Sequence, residues 1–139
     1  MKTFLSVALV ITSLTSFAQN MHEYKVISTD DINETVLINS SESHPEDGQA
    51  HFNLAAHYYN QGVWQIDHID NKASDDELKT IQDNVQRLFR IALPSALKAH
   101  ELNSSSAKTC EMLSGIYFGL NDLPKAEEFS AKARSLSTH

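Results

Sequence analysis

The chain has 139 residues, enough for one domain with a modest core, and its charges lean acidic, 18 Asp and Glu against 11 Lys and Arg for a formal net charge of −7. Phosphate backbones repel such a surface, and no basic stripe offsets it, which argues against nucleic-acid binding. A single cysteine, Cys110, rules out an internal disulfide and is read as a small buried hydrophobe rather than half of an intermolecular bridge.

The N-terminus carries the pattern of a cleavable export signal over residues 1–18. Lys2 supplies a short positive start, residues 4–14 are mostly apolar, and Ser16-Phe17-Ala18 places small residues around a signal-peptidase cut. That apolar run is shorter than the about 20 residues a membrane anchor needs. The expectation is a mature chain from Gln19, exported to a periplasm or secreted, with no stable membrane insertion. Taking Lys2 away leaves 10 basic side chains against 18 acidic ones, a net charge of −8. Asn33-Glu34-Thr35, Asn39-Ser40-Ser41 and Asn103-Ser104-Ser105 have the form of glycosylation acceptors, a form that arises by chance in Ser- and Asn-rich chains.

Residues 19–47 are polar apart from Tyr24-Lys25-Val26-Ile27 and Val36-Leu37-Ile38. Ser28-Thr29-Asp30-Asp31 suits the start of a short helix reaching about Asn39, although the β-branched content also suits a strand. Residues 40–47, with Pro45, read as a loop leading into a helical domain over 48–139. There Leu54, Tyr58, Gly62, Ile66 and Ile69 recur at spacings of three and four, predicting a helix over about 49–71 that runs through Gly62. Ser74-Asp75-Asp76-Glu77 is a capping box, in which serine and Glu77 satisfy each other's backbone donors. It opens a predicted helix over 75–102 with an apolar stripe of Leu78, Ile81, Val85, Leu88, Ala92, Ala96, Ala99 and Leu102. The stripe stays in phase across Pro94, so the proline is expected to kink this helix rather than end it. Two shorter helices, 107–120 and 123–136, follow a loop at 103–106 and flank a turn at Asn121-Asp122, with Pro124 tolerated in a first turn. The fold class is all-α with antiparallel neighbours.

These residues resemble the tetratricopeptide repeat, whose pattern W-x-x-L-G-x-x-Y, then A-x-x-x-F and P, has a period of 34 residues. His51-x-x-Leu54-Ala55-x-x-Tyr58 follows its first half, and Cys110-x-x-Leu113-Ser114-x-x-Tyr117 follows it again, completed by Ala126, Phe129, Ala133 and Leu136. Both copies lack the tryptophan, and each replaces the glycine by a small residue, Ala55 or Ser114. Leu54 and Leu113 are 59 positions apart, 25 more than one period. Shared between two helices, the excess adds about 11 residues to each, roughly 16 Å. The expectation is therefore an α-α superhelix of tetratricopeptide-like hairpins whose first hairpin is elongated. With "ALPSALKAHELN" ahead of the second repeat, the chain also resembles exported bacterial proteins of this kind. Three repeats are usually needed for an independent stack, and residues 35–45 have the position of the second helix of a degraded earlier unit.

In this family the first helix of each repeat lines a groove that holds a peptide or a partner helix. By that register the groove would present Gln49, Phe52, Ala56, Tyr59 and Asn60 from the first repeat, and Lys108, Glu111, Gly115, Phe118 and Gly119 from the second. Phe52, Tyr59 and Phe118 would offer aromatic anchors to a partner. Phe52 and Ala56 do not supply the basic and amide groups of the repeats that grip C-terminal carboxylates. Chemistry at a metal is not expected: His57 and His68 stand about 16 Å apart on one helix, and no H-E-x-x-H, EF-hand loop or cysteine pair occurs. Nucleophile elbows, phosphate loops and framed carboxylate pairs are also missing from the sequence. The expectation is a cofactor-free, non-enzymatic adaptor for a protein or peptide, a monomer or weak dimer. The alternative is a small structural or assembly subunit of an envelope or secreted complex.

Overall fold

Each helix begins on a side chain able to accept a backbone proton. Asn33 accepts from Thr35 N, Asp47 from Gln49 N and Ala50 N, Ser74 from Glu77 N, Ser106 from Thr109 N, and Asp122 from Lys125 N. The computed structural model describes residues 33–138. Within them the chain forms α1 (Glu34–Ser43), α2 (Gly48–Asp67), α3 (Asp75–Leu102), α4 (Ala107–Gly119) and α5 (Leu123–Ser137), with no strand among the described residues. Each helix packs against the next in order, and α4 also touches α2. The fold is all-α, as the periodicity implied.

The first hairpin, α2 and α3, is long: 20 and 28 residues, or about 30 and 42 Å of helix. Both halves of the capping box at Ser74 form, with Ser74 N donating to Glu77 Oε2 at 2.7 Å. The three acidic residues of the first turn, Asp75, Asp76 and Glu77, favour the positive end of the helix dipole. Its predecessor stops sooner than the sequence suggests, at Asp67 rather than near residue 71. Lys72 N donates to Asp70 Oδ1 at 2.8 Å and Ala73 N donates to the Asp70 carbonyl at 2.9 Å. A short polar side chain thus offers the backbone a turn in place of further helix. α3 continues unbroken through Pro94, which lies on its exposed face.

The second hairpin, α4 and α5, turns far more tightly. Asn121 has φ 64°, Asp122 N donates to the Tyr117 carbonyl at 2.8 Å, and Asn121 N donates to the Phe118 carbonyl at 3.0 Å. That is a Schellman motif, in which asparagine takes the left-handed place usually given to glycine. Asp122 then caps α5 at once. Ser114 and Ala55 are both buried, and Ser114 Oγ donates to the Ala126 carbonyl at 2.8 Å. The serine thereby lets α4 and α5 approach closely while satisfying its own hydroxyl.

The core is centred on Phe89, only 1% exposed, which stacks on Tyr59 with ring centroids 5.3 Å apart. A Cβ on Gly62 would lie 2.5 Å from Phe89 Cε1, and one on Gly119 would also collide with the ring. Gly62 from α2 and Gly119 from α4 therefore form the slot that admits the phenyl group. Gly115 likewise makes room for the Tyr59 ring and hydroxyl. Gly62 is no turn; it is a packing residue inside α2.

Ahead of this domain the chain differs from its reading. The Ser28-Thr29-Asp30-Asp31 cap and the segment 1–18 lie outside the described residues, but a helix does form later, capped by Asn33 and reaching Ser43. It takes in part of the stretch read as a loop from residue 40. Packing decides this: Leu37 and Ser41 are buried, α1 rests on α2, and Tyr58 donates a short hydrogen bond to Glu34. Burial first, then the Glu34 carboxylate, pushes the Tyr58 phenol up to about 12.

Candidate functional site

The start of α2, the end of α3 and the start of α4 meet around a cleft of about 260 Å³. Its walls include Gln49 and Phe52 from α2, Ala99 and Leu102 from α3, and Lys108 from α4. Asp47 and Ser106 cap the two helices that open here, which fixes the backbone on both sides. Gln49 Nε2 donates to Asn53 Oδ1 at 2.8 Å, orienting the amide along α2. Glu46 and Lys108 bring opposite charges to the cleft lining, and Phe52 brings an aromatic surface. Such a small, mixed concavity suits a side chain or turn of another polypeptide better than a large cofactor.

The ten residues assigned to a groove divide in three ways. Gln49, Phe52 and Lys108 come together in this cleft. Asn60, Glu111 and Phe118 are half-buried on α2 and α4, away from it. Ala56, Tyr59, Gly115 and Gly119 are buried, and none of them is offered to a partner. The spacings of three and four gave α2 one buried face, whereas α2 packs on α3 and also touches α4. Gly115 was the available signal, because a glycine opposite an aromatic makes room for the ring.

A second concavity, about 520 Å³, lies at the tip of the first hairpin between His68, Asp70, Lys72, Asp76, Glu77 and Thr80. Beside it Trp64 is 60% exposed and stacks on His68 at 4.2 Å between centroids, while His68 Nδ1 donates to the Trp64 carbonyl at 2.8 Å. Glu77 is committed to the capping box, and those hydrogen bonds from Ser74 hold its carboxyl below the usual range. Among the described residues, no three His, Cys, Asp or Glu side chains cluster in a way that could hold a metal ion.

Sequence reasoning missed one cluster entirely. Buried Cys110 on α4 has its Sγ 3.8 Å from His100 Nδ1 on α3, and His100 Nε2 lies 2.9 Å from Lys132 Nζ on α5. An ammonium has only protons to offer, so Nε2 carries the lone pair and Nδ1 the hydrogen. The imidazole therefore donates towards sulfur and has no lone pair there with which to act as its base. Burial also pushes the Cys110 thiol up, away from the thiolate. These groups are 10 and 32 residues apart, so no local spacing announces them.

Comparison with protein-family models, with curated proteins and with solved structures found no match. No helix among the described residues is long and apolar enough to cross a membrane.

Proposed function

We propose that this protein is an exported, non-enzymatic helical-repeat scaffold of the tetratricopeptide type, which binds a protein or peptide partner. The observation that carries the reading is the cleft that gathers Gln49, Phe52 and Lys108 from the first helices of two successive hairpins. Two supports stand beside it: small residues, Ala55 and Ser114, buried at equivalent positions of both hairpins, and the repeat pattern they belong to. The partner's apolar side chain rests on Phe52 while Glu46 and Lys108 select its polar neighbours. Exposed Trp64 at the hairpin tip offers a second contact of the aromatic kind that dominates many interfaces. The reading includes export through the N-terminal signal to a periplasmic or secreted location, no cofactor, and a monomer or weak dimer.

The test is recovery of a partner from the exported fraction by the wild-type protein and by Phe52→Ala combined with Lys108→Glu. Phe52 is half-buried and also packs on the edge of the core, so the double variant is first shown to be folded by its circular dichroism and melting, and capture is then expected to be lost. Undiminished capture by a folded double variant sinks the cleft assignment. Tyr59→Ala is unsuitable as a probe, because it empties the core.

A second reading, a small structural or assembly subunit, has its own observation. Val36 on α1 and Leu123 at the start of α5 are large apolar residues left more than half exposed. Light scattering on the purified chain separates the two, since a stable, well-behaved monomer counts against an obligate subunit.

A further inference from the structure

His100 stands where three helices meet. It occupies the last turn of α3, between Cys110 of α4 and Lys132 of α5, with Phe129 of α5 edge-on to its ring at 5.4 Å between centroids. The link from Lys132 needs a free lone pair on Nε2, and only a neutral imidazole has one. The groups facing it are the Lys132 ammonium and the Cys110 thiol. Glu111 lies near enough to act on that thiol, while Lys98 and Glu101 on α3 itself are paired with each other at 3.2 Å. We propose that His100 is a proton-operated release for the C-terminal helix: protonation makes Nε2 a donor facing a cation, ends the Lys132 bond and loosens α5 from α3.

The remainder of the α5 contact survives this event. Tyr117 still stacks on Phe129, and Ser114 still donates to the Ala126 carbonyl. Protonation therefore shifts a population of loosened α5 and does not unfold the domain. Burial, and after it Lys132, keeps His100 below the ordinary histidine value. A histidine lowered in the folded state contributes stability that is complete above its unfolded value near 6.5. That stability is lost as pH falls through the lower folded value. At pH 5.0 the gain in the open form has a ceiling of about thirtyfold, set by the distance from 6.5.

Hydrogen exchange on the full chain at pH 7.5, 6.0 and 5.0, corrected for intrinsic amide rates, reads this directly. Opening of residues 123–137 should rise several-fold towards that ceiling as pH falls, with residues 80–100 steady. His100→Gln retains an acceptor for Lys132 but cannot titrate, and should flatten the response. Lys132→Met removes the facing cation and should reduce the response while raising the pKa of His100, the part due to burial remaining. An unchanged acid response in either variant overturns the proposal, as does uniform loosening of all helices in the wild type. Should His100→Gln fail to fold, imidazole NMR on the wild type decides: a His100 titration at or above 6.5 overturns it, and one well below supports it.

Discussion

The first hairpin joins helices of 20 and 28 residues through seven residues, 68–74; the second joins 13 and 15 through three, 120–122. In the short hairpin nearly every position of α4 beyond its first turn is buried, because α3 and α5 both pack on it and α2 touches it. In the long one the buried residues of α3 start only at Val85, and the turns before it carry the cap and the acidic rim. A helix hidden on most sides gains its stability from packing. A projecting helix end depends on local devices: a capping box, an Asx turn and paired charges such as Lys79–Asp83. The two hairpins meet at the Phe89 ring, which α3 inserts between Gly62 of its own hairpin and Gly119 of the other.

Removing that ring should have the largest effect. Phe89→Ala is expected to cost about 3–5 kcal/mol, read from urea unfolding, and to loosen both hairpins together. A loss confined to the first hairpin in hydrogen exchange breaks the idea of a shared plug. Gly119→Ala comes next. Alanine gains up to about 1 kcal/mol of helix propensity, but its Cβ collides with the Phe89 ring, and overpacking costs about 1–3 kcal/mol. The expected result is a net loss of about 1 kcal/mol, and a stabilised variant means the slot has slack. Ser74→Ala sharpens the contrast at the smallest scale. It removes one cap worth about 1 kcal/mol or less, and faster exchange should stay within the first turns of α3. Spread of that effect into α4 or α5 contradicts a locally held tip.

Much of this fold is legible from particular residues. The capping box at Ser74 and the cap at Asp122 are local chemistry, and both form where their side chains stand. Gly62 could have ended a helix or sat inside one; the uninterrupted pattern after it favoured the second, and α2 does run on to Asp67. Phe89 was passed over because the apolar stripe ran through Leu88 and Ala92, yet neighbouring positions on a wide stripe both face inward. The candidate site was only partly legible: repeat register brought out Gln49, Phe52 and Lys108, but placed buried Tyr59 and Ala56 beside them.

By itself the sequence determined the four helices from Gly48 onward, the capping box at Ser74, the turn at Asn121-Asp122, the greater length of the first hairpin and the acidic surface, because each follows from interactions within a few residues or from composition. Tertiary structure alone decided which faces of α2 and α4 are covered, how two glycines from different hairpins seat one phenyl ring, and how His100, Cys110 and Lys132 meet. Those outcomes depend on contacts between residues far apart in the chain, where volume and charge are matched across helices and leave no periodic trace in either one.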